Sequence, residues 1–291
     1  MSKEKAPKKQ TGNSQFRETV QRLKKNKSAV VGLIIVIIMV LCAIFAPLIA
    51  PYSYEEANYD IVNQGPTAEH WFGTDDLGRD ILSRLLYGGR YSLRIGLLSV
   101  IGATIGGIIL GSIAGYFGGK VDNLIMRILD VFQAIPGMVL SIAVAAVVGP
   151  GFNNCILALV IGMTPSFSRM MRASILNVRK MEYLEAATSI NCSNFRIITR
   201  HVLPNALSPL IVQATMSVPA SILLAASLSY IGLGVQPPTP EWGAMLAAGR
   251  GFIRDYPHLV LFPGITIMIA VLALNLFGDG LRDAMDPKLR D

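Results

Sequence analysis

Charge is scarce in this chain. Asp, Glu, Lys and Arg make up 15% of its 291 residues, against about a quarter in soluble domains. The three cysteines, Cys42, Cys155 and Cys192, are far apart and form no CxxC or Cys/His spacing. Neither a disulfide framework nor a zinc site is supported. His70, His201 and His258 fall in separate segments, and neither HExxH nor GxSxG occurs, so metal and nucleophile chemistry lack their usual residue sets. The nearest approach to a phosphate loop is GYFGGKV at 115–121. Ala114 stands where the first glycine is required, and Val121 where a Ser/Thr must reach Mg²⁺. That stretch reads as a tight turn between two helices. The sequence offers no catalytic residue, no metal ligand set and no means of hydrolysing ATP by itself.

What is abundant is apolar sequence. Hydrophobic residues make up 52% of the chain. They come in long blocks, the first of which (29–50) contains VVGLIIVIIMVLCAIFAPLI without a charge. About 20 residues at ~1.5 Å each cross a hydrocarbon layer of ~30 Å. Five further blocks follow at 92–117, 124–148, 155–171 (extending to about 176), 207–235 and 259–281. The fold class expected is an all-α integral membrane protein of about six transmembrane helices.

The net charge of +7 has one location. Residues 1–28 carry nine Lys/Arg against Glu4 and Glu18, and the remainder of the chain is balanced. A basic tail before the first span reads as a cytoplasmic anchor on the lipid surface rather than a nucleic-acid arm. If the N-terminus lies inside, cytoplasmic segments hold 20 Lys/Arg and outer segments five, with Arg94 at a helix edge. That asymmetry favours both termini inside. The first block is too long, and its leader too extended, for an ordinary cleaved signal peptide.

Within the blocks, Gly107, Gly111, Gly115 and Gly119 recur in steps of four. This spacing places them on one helix face that another helix can approach closely. Pro136, Pro165, Pro219 and Pro263 each interrupt a different block and can kink it, either as hinges or as static bends. Asp130 is one of few ionisable residues within the spans, with Arg127 on the same face. Its place near the cytoplasmic end favours a local ion pair over a role in ion-coupled transport. Asn275 is expected to hydrogen-bond between helices.

The most organised polar stretch lies between the fourth and fifth spans: MEYLEAATSINCSNFRIITRHVLPNALSP, 181–209. It predicts a helical run over 182–189, a left-handed stop at Asn191, and a second short helix over 194–202, capped by Ser193 and ended by Pro204. Two short helices at right angles would make a compact knob with Glu182, Tyr183, Phe195 and Arg196 on its surface. A pair of amphipathic helices lying on lipid is the alternative.

Glu185-Ala186-Ala187, Asn191 and Leu203-Pro204 resemble, in identity and spacing, the EAA loop of permeases from binding-protein-dependent ABC importers. Asn191 replaces the usual glycine and His201 the usual isoleucine. FAPLIAPY (45–52), WFGTDDLGRDILS (71–83) and LFGDGLRDAMDPKL (276–289) narrow the resemblance to the dipeptide/oligopeptide/nickel subfamily, and within it to the second permease. The resemblance spans nearly the whole chain.

It implies a type I importer fold in a bacterial cytoplasmic (inner) membrane, divided into a basic tail (1–28), a first transmembrane helix (29–50) and an extracytoplasmic loop (51–91). A five-helix permease core (92–281) with its coupling loop (181–205) follows, and then a cytoplasmic tail (282–291). It implies as partners a homologous second permease, two ABC ATPase subunits that hydrolyse the ATP, and an extracytoplasmic peptide-binding protein. No cofactor would be bound by this chain. Glu185, Ala186, Ala187, Asn191, Leu203 and Pro204 would then be the ATPase-coupling residues. The implied cargo is dipeptides or oligopeptides, with nickel chelates and glutathione as alternatives. An ion-coupled carrier and an intramembrane enzyme are the readings from other classes.

Overall fold

The computed structural model describes residues 12–181, Leu184 and 192–285. Among them there are helices and turns but no strand, only an isolated bridge between Thr74 and Asp80. The helices are α1 (Gly12–Lys25), α2 (Lys27–Ile44), α3 (Ala46–Ile49), α4 (Ile81–Phe117), α5 (Gly119–Gln133), α6 (Gly137–Val148) and α7 (Phe152–Val178). After these come α8 (Asn194–Ile197), α9 (Leu203–Tyr230), α10 (Trp242–Gly249) and α11 (His258–Met285).

Four helical stretches are long and apolar enough to cross a membrane: α2, α4, the continuous path 194–230 and α11. The α5–α6 pair adds a fifth if it counts as one span. Helix α7 is long enough at 27 residues, yet Asn153, Asn154, Arg169 and Arg172 dilute its apolar content.

Helix α2 shows how such an element is specified. Asn26 caps it by accepting from the Ala29 N–H at 3.2 Å. Only Ala29, Gly32 and Ala43 of its residues are buried, while Ile34, Ile37, Ile38 and Leu41 are exposed. An apolar face open to lipid carries no penalty, so burial is reserved for the small residues where backbones meet. A Cβ on Gly32 would lie 2.6 Å from the Ala273 carbonyl oxygen of α11, and one on Gly280 would lie 2.2 Å from Ala29 Cβ. The α2–α11 contact is therefore backbone against backbone.

The same principle holds α4 to α7, the most extensive helix pair among the described residues. A Cβ on Gly107 would lie 2.5 Å from Phe167 Cβ, and one on Gly111 would lie 2.4 Å from the Ser168 carbonyl oxygen. Gly115 faces Arg172 and Ile175. The ladder thus serves close packing from Gly107 to Gly115. Gly119 does not belong to it: α4 ends at Phe117, Gly118 and Gly119 have φ of +67° and +56°, and nothing crowds Gly119. Those two glycines make the tight turn into α5.

Two blocks differ most from their expected extents. The 124–148 block is not one straight helix, because α5 and α6 meet at 87° around Pro136. Pro165, Pro219 and Pro263 lie within continuous helices, so Pro136 alone of the four separates two helices. Helix α4 starts eleven residues before its apolar block, at Ile81, where Asp80 caps it by accepting from the Ser83 N–H at 2.7 Å. Its polar first turns rise out of a folded segment, 51–80, at one end of the bundle.

That segment explains the sequence GTDDLGRD at 73–80. Gly73 and Gly78 have positive φ. A Cβ on Gly78 would lie 1.8 Å from the Asn58 carbonyl oxygen. Asp75 accepts from the backbone of Leu77 and Arg79 and pairs with Arg79 Nε at 2.7 Å and Arg84 Nε at 3.3 Å. Arg84 also donates to the Tyr54 carbonyl at 2.8 Å and reaches the Pro238 carbonyl at 3.5 Å. His70 Nδ1 and Asp80 lie 3.0 Å apart. The motif is a latch that fastens 51–80 to α4 and to the loop after α9.

Candidate coupling site

At the end of the bundle opposite the latch, α4 and α7 finish side by side and the chain of 192–204 lies across them. Ser193 accepts from the Arg196 N–H at 3.4 Å and caps α8, as its position predicts. Residues 198–202 then form a π-turn in which the Leu203 N–H reaches the Ile198 carbonyl. The path runs on into α9 without a break, so Pro204 does not end the helix. It sits at the second position of α9, directly after the π-turn. The wider π spacing relieves the clash that a proline ring makes with the turn before it. Asn205 Nδ2 satisfies the His201 carbonyl at 2.7 Å.

Leu184, Ile197, Val202 and Ala206 are buried in one cluster with Phe167, Met171 and Ile175 of α7, and Leu203 packs against it half-buried. Two polar contacts add to this seat. Tyr116 Oη, at the end of α4, donates to Asn194 Oδ1 at 2.8 Å. Arg179, just past α7, places Cζ 5.9 Å from the Tyr116 ring centroid and donates to the Gly115 carbonyl at 3.1 Å. Phe195 stands out from this platform with 78% of its surface exposed. An aromatic ring presented from a rigid base suits insertion into a partner's pocket.

Beneath the platform, Arg172 of α7 makes a two-pronged pair with Asp122 of α5. Arg169 pairs with Asp130. Asp130 is thus in a local ion pair, but with Arg169 across the helix interface rather than with Arg127, its neighbour on α5. Asn275 is exposed on α11. Among the described residues no group of three or more His, Cys, Asp or Glu is placed to hold a metal ion.

Residues 107–291 match the family model described as "Binding-protein-dependent transport system inner membrane component". The chain belongs to this family. Residues 14–66 of the permease also match the N-terminal transmembrane domain of oligopeptide transport permease C. The dipeptide transport system permease protein DppC of Alkalihalophilus pseudofirmus is 50% identical over 280 residues, 96% of this chain and 92% of the relative. The di/tripeptide permease DppC of Pseudomonas aeruginosa is 44% identical, covering 96% and 94%. The glutathione permease GsiD of Escherichia coli O6:K15:H31 is 48% identical, covering 94% and 91%. An inward-facing MetNI methionine ABC transporter superposes with a TM-score of 0.55 at 19% identity, over 70% of this chain and 97% of that one. At that identity the likeness shows the type I importer fold alone. Family membership and the apolar helices make the permease a multi-pass protein of a bacterial inner membrane.

Of the six coupling residues expected from sequence, Leu203 and Pro204 are found at the platform, Leu203 packed inward and Pro204 exposed. Glu185, Ala186, Ala187 and Asn191, with the first helix of the predicted knob apart from Leu184, lie outside the described residues. Sequence reasoning missed Tyr116 and Arg179. They are 78 and 64 residues from their respective partners Asn194 and Gly115, and no local pattern links residues so far apart.

Proposed function

We propose that this chain is one of two homologous pore-forming permeases of a peptide importer, driven through residues 181–205 by separate ATPase subunits. The supporting observation is mechanical. Segment 192–204 is wedged against both α4 and α7 by a buried apolar cluster, a hydrogen bond and a guanidinium–ring contact, while Phe195 stays free. A force applied there passes directly into two long helices. Moving a two-state equilibrium from 1:99 to 99:1 takes about 5.5 kcal/mol, which requires a stiff connection.

In this reading ATP is bound and hydrolysed by two partner ATPases, and this chain binds no cofactor. Closing of the ATPase pair moves the coupling segments of the two permeases together and changes helix packing toward the outward-facing form. In the same reading both termini and the coupling segment lie in the cytoplasm, which the Lys/Arg asymmetry favours. The latch of 51–80 lies outside, where an extracytoplasmic binding protein delivers cargo. The identities to dipeptide and di/tripeptide permeases favour short peptides. The comparable identity to glutathione permeases keeps that modified tripeptide as the second reading.

The experiment is Glu185→Lys, alone and beside Leu203→Asp, in the complete transporter. The expected result is loss of peptide uptake and of ATPase co-purification, with normal membrane insertion. Wild-type uptake by both variants would overturn the coupling role.

A further inference from the structure

A cavity of about 340 Å³ opens among α6, α9, α10 and α11, in the half of the bundle nearer the latch. Its walls include Met138, Leu223, Leu246 and Ile267, and are overwhelmingly apolar. The volume is at the low end for small-ligand sites, about 300–1,000 Å³, and fits one or two amino-acid residues rather than a long chain.

Two polar residues belong to its lining, and a third reaches it through contacts with one of them. Tyr230 and Ser227 line the cavity. Arg250, in the turn after α10, lies with Cζ 5.0 Å from the Tyr230 ring centroid and donates Nη1 to the Tyr230 carbonyl at 3.3 Å. These two contacts fix the plane of the guanidinium and leave Nη2 and Nε to donate. Among the described residues no carboxylate forms an ion pair with Arg250, although it is exposed. Ser227 Oγ commits its proton to the Leu223 carbonyl at 2.9 Å, so its lone pairs remain to accept from an N–H.

We propose that this cavity is a transient cargo site in the permease: it takes the apolar side chain of a short peptide while Arg250 holds the peptide's α-carboxylate. This rests on the reading of the protein as a peptide importer and names the permease groups that would recognise the cargo. Charge complementarity selects the occupant. An apolar helix of the second permease would fill the pocket but leave the oriented guanidinium without an anion. A phospholipid offers its phosphate to the same fork, and equal labelling by the acid and the amide is the outcome it predicts. A planar two-donor fork matches a carboxylate. One pocket beside one fork also selects a C-terminal apolar residue with a free carboxylate.

The glycines of the wall supply a clean perturbation. A Cβ on Gly243 would lie 2.3 Å from Ala226 Cα, so that position is closed. A Cβ on Gly264 meets only Leu246 Cδ1, at 4.0 Å, so a side chain there grows into open space.

The test uses the complete importer in lipid nanodiscs, without its binding protein. The photoreactive dipeptide glycyl-photoleucine is used as the free acid and as the C-terminal amide, and labelled residues are mapped by mass spectrometry. The free acid should label 223–231 and 264–267. Labelling should fall about ten- to a hundred-fold with the amide or with Arg250→Gln, as expected for a lost charge-assisted bond, and comparably with Gly264→Leu. An unaltered size-exclusion profile of the assembled complex excludes misfolding of the variants. Equal labelling by acid and amide, labelling confined to other regions, or insensitivity to Gly264→Leu would overturn the site. The importer reading is judged separately, by wild-type peptide uptake. Normal uptake with failed labelling rejects this site alone, whereas absent uptake rejects the importer reading.

Discussion

Tyr116 at the end of α4 donates a hydrogen bond to Asn194 at the start of α8, at 2.8 Å across 78 residues of sequence. The bond ties the candidate coupling segment to a helix that runs 37 residues to the latch at the other end. Replacing Tyr116 by Phe keeps the ring under Arg179 and removes only the hydroxyl. A single such bond contributes about 0.5–1.5 kcal/mol net, too little to unfold the protein. The expected result is a normally assembled transporter that imports about two- to ten-fold less peptide per ATP hydrolysed. Parallel uptake and phosphate-release assays on reconstituted vesicles check it. An unchanged ratio would show that this bond takes no part in coupling.

Gly111 and Gly137 should respond oppositely to alanine. A Cβ on Gly111 would fall 2.4 Å from the Ser168 carbonyl oxygen, whereas Gly137 has nothing within 4 Å and no positive φ. Overpacking costs about 1–3 kcal/mol, occasionally more, and here the obstacle is backbone. Gly111→Ala should lower the melting temperature by several degrees and reduce the yield of folded protein. Gly137→Ala, at the first position of α6, should be neutral or slightly stabilising. Thermal melts in detergent distinguish them.

Glycine spacing also marks where the sequence is readable. Steps of four translate directly into a helix face, so the close-packing face of α4 is legible from Gly107, Gly111 and Gly115 alone. So are the cap at Ser193 and the turn at 118–119, because each depends on residues a few positions apart. The early start of α4 at Ile81 is hidden because Arg84 and Arg90 end the apolar run while the helix continues. Its polar turns are stabilised by the latch rather than by lipid. Arg127 is a plausible partner for Asp130 on helical spacing alone, and a tertiary neighbour on α7 displaces it. Pro204 reads as a stop because a π-turn, which has no sequence signature, absorbs its ring.

The latch makes a prediction about unequal acids. Asp75 faces the Arg79 and Arg84 side chains, which are 9% and 7% exposed, while Asp76 is 39% exposed and touches only Arg79 at 3.5 Å. Removing Asp75 leaves two buried guanidinium groups without their main counter-charge, a change that costs about 3–5 kcal/mol when one partner of a buried pair is lost. Asp76→Asn should cost no more than about 1 kcal/mol. Limited proteolysis of the 51–80 segment should therefore accelerate sharply in Asp75→Asn and little in Asp76→Asn.

The two ion pairs beneath the coupling platform form a similar contrast between the same helices. In the Asp122–Arg172 pair the side chains are 12% and 34% exposed, and the guanidinium meets both carboxylate oxygens. In the Asp130–Arg169 pair they are 56% and 47% exposed and one contact joins them. Water screens the second pair far more, so its coupling energy should stay below about 1 kcal/mol. The first, two-pronged and partly sheltered, should reach about 1–3 kcal/mol after allowance for its exposed third. Double-mutant cycles with Asp122→Asn/Arg172→Gln and Asp130→Asn/Arg169→Gln, read by thermal melting, measure both numbers. The exchange Asp122→Arg with Arg172→Asp should recover part of the stability lost by either single change, because the attraction is restored while the helix positions are not. If both cycles gave the same small energy, the Asp122 pair would be a surface contact, and α5 would be held to α7 by its apolar residues alone.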